Sequence, residues 1–120
     1  IKLKRASLGN SEFLWELKND PVVLAGSYVI RDPVSYEQYY KWLSDRLQDP
    51  QTDLWIVEEG NIHYGDVRLD IGTEIELSIR LTKEVRGKGI GAKVLKMLIN
   101  KASKYKLPMI ACAPSMLVSL

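Results

Sequence analysis

Between residues 64 and 81, apolar and polar side chains alternate with a period of two, interrupted at Gly72-Thr73. In the first run Tyr64, Asp66, Arg68 and Asp70 share one face, and Gly65, Val67, Leu69 and Ile71 share the other. The second run repeats the division, with Glu74, Glu76, Ser78 and Arg80 set against Ile75, Leu77, Ile79 and Leu81. This pattern predicts two neighbouring antiparallel strands with a strongly polar common face, either solvated or part of a site. Ahead of them, Leu54-Trp55-Ile56-Val57 reads as a short buried strand, turned into the next by Glu59-Gly60-Asn61. Residues 1–6 begin by alternating apolar and basic side chains and read as an opening strand with one wet face.

Helical spacing governs three other segments. Asn10 or Ser11 can cap a helix to about Lys18, with Phe13, Leu14 and Leu17 on one side. Asn19-Asp20-Pro21 stops it, because a residue before proline is pushed out of helical geometry. An irregular connector is expected over residues 21–34. Ser35-Tyr36-Glu37-Gln38 is a capping box opening a helix to about Gln48. Its Tyr36, Tyr39, Tyr40, Leu43 and Leu47 fall at helical spacing; the tyrosines suit packing at the core edge, or hydroxyls facing a substrate. Asp49-Pro50 ends that helix. From Gly89 the period returns, with Ile90, Val94, Leu95, Leu98, Ile99 and Ala102 inward and Lys93, Lys96, Lys101 and Lys104 mainly outward. Leu107-Pro108 closes this helix, and Met109-Ile110-Ala111-Cys112-Ala113 reads as a buried strand parallel to the fourth.

The chemistry lies where the fourth strand gives way to that last helix, in Glu84-Val85-Arg86-Gly87-Lys88-Gly89-Ile90-Gly91. A glycine-dense turn at a helix start leaves backbone N–H groups unpaired and converging, and the helix dipole adds positive potential there. An anion such as phosphate is the natural guest, with Arg86 and Lys88 expected to add charge. A nucleotide P-loop would need Gly-Lys-Ser/Thr, whereas Gly87-Lys88 is followed by Gly89. A dinucleotide fingerprint would need G-x-G-x-x-G and an acidic residue further on, and neither is present. The remaining pattern, Arg/Gln-x-x-Gly-x-Gly/Ala, is matched by Arg86 to Gly91. The alternative is a turn serving only as a helix entry.

At 120 residues and 13.7 kDa the chain is expected to form one domain, residues 1–120, with a single core. A net charge of +2 is too small an excess to argue for nucleic acid, and no apolar run approaches a membrane span. The lone Cys112 cannot form an internal disulfide, which suits a reducing, cytoplasmic setting. It is expected to be a small buried apolar residue rather than a nucleophile, since no base partner is evident. His63 has no Cys or carboxylate at ligand spacing, so a strand-edge role is expected and no metal site.

The loop motif and the element order β-α-α-β-β-β-α-β together resemble the GNAT family of N-acetyltransferases over nearly the whole chain. Leu3-Lys4-Arg5-Ala6, Phe13-Leu14-Trp15 to Asn19-Asp20-Pro21, the strand pair 54–71 and Glu74 to Ile79 carry the likeness beyond the loop. Asn19-Asp20-Pro21 followed by a tyrosine-rich helix with Trp42-Leu43 is similar to the nucleotide-sugar and ribosomal-protein acetyltransferases of that family. The resemblance implies a mixed α/β fold: a central, mostly antiparallel, twisted sheet with helices on both faces.

It also implies an acetyl-CoA-dependent transfer of an acetyl group directly to a primary amine, of a small molecule such as an amino sugar or of a protein N-terminus. Backbone groups of Ile79, Arg80 and Leu81 would pair with the pantetheine arm, and one of them would polarise the thioester carbonyl. The N–H groups of Arg86, Gly87, Lys88, Gly89, Ile90, Gly91 and Ala92 would hold the pyrophosphate. Glu74 is the positional match for the base that frees the amine, and Glu76, two residues on, is its rival. Two nearby carboxylates would raise at least one pKa, unless either pairs across the strands with Arg68.

The family continues after the fifth strand with an asparagine-led loop, a helix bearing a tyrosine and two further strands, whereas Ala113 to Leu120 ends this chain. A domain incomplete at its C-terminus is therefore expected, with a fifth-strand edge open to homodimer formation. With Ile1 first, the numbering is expected to begin inside a longer product or after processing. The alternative to the enzyme is a non-catalytic acyl-CoA-binding or regulatory module, and a weaker one is a structural domain whose loop binds nothing.

Overall fold

The computed structural model describes residues 1–21 and 33–111. Its strands are β1 (Lys2–Arg5), β2 (Thr52–Glu59), β3 (Ile62–Ile71), β4 (Ile75–Leu81) and β5 (Met109–Ala111). Its helices are α1 (Ser11–Lys18), α2 (Tyr36–Gln48) and α3 (Ile90–Ala102), so the expected element order is observed. The sheet runs β1-β2-β3-β4-β5, antiparallel up to β4 and parallel between β4 and β5. The expected connector lies largely outside the described residues, as do Cys112, Ala113 and the tail after them.

The two alternating runs form β3 and β4 in the register Asp66↔Arg80, Val67↔Ile79, Arg68↔Ser78 and Asp70↔Glu76. One face of the sheet carries Trp55, Val57, Val67, Leu69, Leu77 and Ile79 into a core closed by Val94, Leu98 and Ala102 of α3. The opposite face carries Leu54 and Ile56 against Leu14 of α1 and Tyr39 and Leu43 of α2. Helices thus cover both faces. β2 is longer than the apolar run suggests: Thr52, Asp53 and Glu58 at its ends are buried too, as befits a strand paired on both sides. Gly60-Asn61 makes the two-residue turn to β3, with Gly60 at φ 62°.

Local signals settle the helix starts. Ser35 Oγ accepts from the Gln38 N–H at 3.2 Å, and Gln38 Oε1 accepts from the Ser35 N–H at 3.4 Å, completing the capping box of α2. The cap of α1 differs from expectation. Asn10 precedes the helix, but its Oδ1 accepts from the Ser7 N–H at 3.0 Å and caps a 3-10 turn over Leu8–Asn10 instead. Ser11 is buried, and its hydroxyl lies 2.8 Å from the Tyr36 hydroxyl, tying α1 to α2. On α3 the buried stripe is Gly91, Val94, Leu98 and Ala102, while Ile99, expected inside, is 39% exposed. The apolar arc is narrower than the sequence pattern because the helix meets only one sheet face.

Candidate functional site

The loop after β4 is a run of turns from Lys83 to Gly89 that delivers the chain directly into α3. Gly87 and Gly89 have φ of 74° and 77°, where a side chain is strained, and a Cβ at either would meet nothing within 4 Å. Both therefore border open space. Gly89 is the N-cap and offers no side-chain acceptor, so the first-turn N–H groups of α3 gain no side-chain cap from it. Val85 is buried in the α3-side core and its N–H reaches the Thr82 carbonyl at 3.2 Å, pinning the loop's first half.

Arg86 does not extend towards the glycines as expected. Its guanidinium turns towards α1, where Nη2 lies 3.6 Å from Asp20 Oδ1. Lys88 is exposed and stays with the loop.

Strand β4 runs into this loop at its C-terminal end. The Thr82 N–H bonds the Tyr64 carbonyl on β3, whereas the Ile75 N–H bonds the Pro108 carbonyl beside β5. By the alternation of an antiparallel ladder, Ile79 and Leu81 turn their backbone groups away from β3, and Arg80 turns its own towards it. Among the described residues, β5 covers β4 only from Ile75 to Leu77.

The polar face of β3 and β4 divides in two. Near the loop it is covered. Asp66 is 2% exposed on its side chain and Arg80 14%, and Arg80 donates from Nε at 2.8 Å and from Nη2 at 2.6 Å to the Asp66 carboxylate. Burial opposes the charge on Arg80, but Asp66 outweighs it and holds the guanidinium above its ordinary pKa. Tyr39 of α2 lies over this pair; burial pushes its phenol up against the pull of Arg80, which its buried hydroxyl approaches without a well-aligned hydrogen bond. Such a layer was not read from the sequence, although the opposed charges of Asp66 and Arg80 on one face were a usable signal.

At its far end the same face opens into a cavity of about 470 Å³. Glu74, in the turn just ahead of β4, and Glu76 line it, with Arg46, Arg68, Asp49 and Asp70. The two glutamates thus lie at the N-terminal end of β4 and the loop glycines beyond its C-terminal end. Arg68 is not the partner of either glutamate: it donates to Asp70 at 2.8 Å and stacks on Trp42 at 5.3 Å. Arg46 also faces Asp70, at 3.6 Å. His63 lies 3.4 Å from Glu58 and edge-on to Phe13. No cluster of His, Cys, Asp or Glu that could hold a metal occurs among the described residues. Nor is any helix among them long and apolar enough to cross a membrane.

No family model and no curated protein matches the chain. Solved structures do. A ribosomal-protein-alanine N-acetyltransferase from Brucella melitensis superposes with a TM-score of 0.76 at 24% identity, covering 92% of this chain and 73% of that one. A predicted acetyltransferase from Clostridium acetobutylicum, with acetyl-CoA, gives 0.71 at 15% identity, over 94% and 80%. The fold is that of the GNAT N-acetyltransferases. Spermidine N-acetyltransferase from Vibrio cholerae, in complex with CoA and spermine, shares this GNAT fold with a TM-score of 0.67 at 23% identity, covering 87% of this chain. The present chain spans 62% of that enzyme's length.

Proposed function

We propose that the chain binds acetyl-CoA and transfers its acetyl group directly to a cationic primary amine, a polyamine-like small molecule or a protein N-terminus. The observation that carries the reading is the junction of β4 with α3. Two left-handed glycines border open space at a helix start whose N-cap has no side chain, at the C-terminal end of a strand. Structures of the same fold with acetyl-CoA or with CoA support the ligand class.

In this reading, backbone N–H groups from Arg86 to Ala92 hold the pyrophosphate, and Lys88 supplies positive potential beside it. Ile79 and Leu81 offer the outward backbone groups of β4 to the extended arm, while Arg80 keeps β4 clamped to β3 through Asp66. Acetyl-CoA supplies an activated acyl thioester; the protein must place it and free the amine lone pair. From Leu81 back to Glu76 the strand spans about 17 Å. An arm running back along β4 is thereby directed towards the acidic cavity. There Glu76 or Glu74 would take a proton from the incoming ammonium, directly or through water. The amine then forms the C–N bond at the thioester carbonyl as the C–S bond breaks, and CoA leaves as a thiolate protonated from solvent. Four carboxylates against two guanidiniums favour a cationic acceptor over a nucleotide-sugar. Amine acceptors of this kind, spermidine and ribosomal-protein alanine, belong to proteins of the same fold.

The test is acetylation of an amine panel containing spermidine, an alanine-led peptide and an amino sugar, read by mass. The reading expects product with one of the cationic amines, and a Glu76→Gln or Glu74→Gln variant that keeps acetyl-CoA affinity but loses rate about 100-fold. Acetyl-CoA binding without product from any of the amines would favour a non-catalytic acyl-CoA module.

A further inference from the structure

We infer that Asp20 is a positioning residue for the anion loop: by holding Arg86 to the end of α1, it makes acyl-CoA affinity depend on a carboxylate outside the loop. The inference rests on the acyl-CoA reading of that loop.

The loop has few side-chain anchors. Lys83, Glu84, Gly87, Lys88 and Gly89 are exposed, so the side chains that grip the rest of the fold are those of Val85 and Arg86. These neighbours reach opposite layers. Val85 enters the core beneath α3, and Arg86 reaches α1, which packs on the other side of the sheet. The loop is therefore pinned between the two layers just before its glycines begin.

Asp20 is held in place from behind. The Asn19 side chain donates to the Val34 carbonyl at 3.0 Å and accepts from the Val34 N–H at 3.1 Å. Trp15 Nε1 donates to the same carbonyl at 2.8 Å. The Asn19 and Asp20 N–H groups bond the Trp15 and Leu17 carbonyls, each at 3.2 Å. The main chain at Asp20 is thus tied to the last turn of α1, which lets its carboxylate act as a fixed post.

Electrostatics favour the pair at this place. Asp20 follows the C-terminus of α1, where the helix dipole disfavours a carboxylate, so a facing cation offsets a local cost. Arg86 is 14% exposed on its side chain and Asp20 25%, which leaves the pair less screened than a surface contact. Arg86 Nη2 is buried and makes no hydrogen bond, so the carboxylate at 3.6 Å holds the guanidinium by charge alone. Removing that charge leaves a buried cation free to leave its seat and draws the 86 backbone, part of the anion cradle, with it.

A double-mutant cycle on acetyl-CoA affinity tests this, using the parent, Asp20→Asn, Arg86→Gln and the double variant, with circular dichroism confirming each fold. Asp20→Asn is expected to weaken binding roughly 5- to 10-fold. Asp20→Glu, which keeps the charge, is expected to recover most of that loss. In the Arg86→Gln background, Asp20→Asn should cost clearly less acetyl-CoA affinity than it does in the parent, because its link to the loop is already gone. Parent-like affinity in Asp20→Asn, or an undiminished loss in the Arg86→Gln background, would overturn the inference while leaving the acyl-CoA reading intact. A parent chain that does not bind acetyl-CoA would instead overturn that reading, and this inference with it.

Discussion

Arg80 of β4 makes a two-point ion pair with Asp66 of β3, at 2.8 and 2.6 Å, inside the layer between the sheet and α2. The pair sits next to the strand residues from which the glycine-rich loop departs, so it fixes the strand that the proposed cofactor arm would follow. A buried pair is costly to break from one side, because the remaining charge keeps its desolvation penalty. Asp66→Ala is expected to lower unfolding stability by about 3–5 kcal/mol in chemical denaturation. Tyr39→Phe makes the contrast: its buried hydroxyl has only a poorly aligned approach to Arg80, so its removal should leave stability within about 1 kcal/mol of the parent. A large loss in Tyr39→Phe would mean that the hydroxyl has a partner after all.

Gly65 sets how closely β3 and β4 approach beside this pair. A Cβ there would lie 2.0 Å from the Arg80 carbonyl oxygen and 2.9 Å from Leu81 Cα. Backbone cannot yield as a flexible side chain would. Gly65→Ala should therefore cost at least about 3 kcal/mol, read as a lower thermal midpoint, and should weaken ligand binding at the adjoining loop. An unchanged midpoint would show that the two strands can separate freely there.

The far corner of the domain gives a pH dependence. Asp53 on β2 accepts from Tyr105 at 2.6 Å and from Arg5 at 2.9 Å, joining the end of α3 to β1. Burial pushes its carboxyl up, but the hydrogen bonds from Tyr105 and Arg5 together with the nearby positive charge prevail, and its pKa is lowered. A lowered carboxylate contributes stability above its unfolded value, near 3.9, and that contribution is lost as pH falls through the folded value. Asp53→Asn should thus melt below the parent at pH 7, with the gap closing below about pH 4. A gap independent of pH would remove the charge from the explanation.

The element order and the helices were legible because period two and period 3.6 are local properties, and the capping box at Ser35 and Gln38 is a four-residue signal. What escaped is set by residues far apart in the chain. Asp66 and Arg80 read as part of a face either solvated or lining a site, because nothing in their own strands says that α2 will cover them. Ends of β2 were missed because Thr52, Asp53 and Glu58 are polar yet buried, paired by neighbours on both sides. Asn10 was drawn away from α1 by Ser7, a competition that no helix template contains. The glycine-rich turn into α3 was read from its glycines, but the direction of Arg86 depends on Asp20, sixty-six positions earlier. Glu74 and Glu76 were read on one strand run, whereas Glu74 lies in the turn just ahead of β4; that both line a cavity with Arg46 of α2 is again a product of packing.

Calorimetric titration of acetyl-CoA into the folded chain tests whether the turn from β4 into α3 is an acyl-CoA site. A Gly89→Val variant is the control, since Gly89 has φ 77° and borders open space, so the change disturbs the loop without a clash in the core. The account predicts saturable binding by the parent, weakened at least about tenfold by Gly89→Val through the strain of a left-handed branched residue. Absence of binding by a parent chain that circular dichroism shows to be folded, or equal affinity in both proteins, would contradict it.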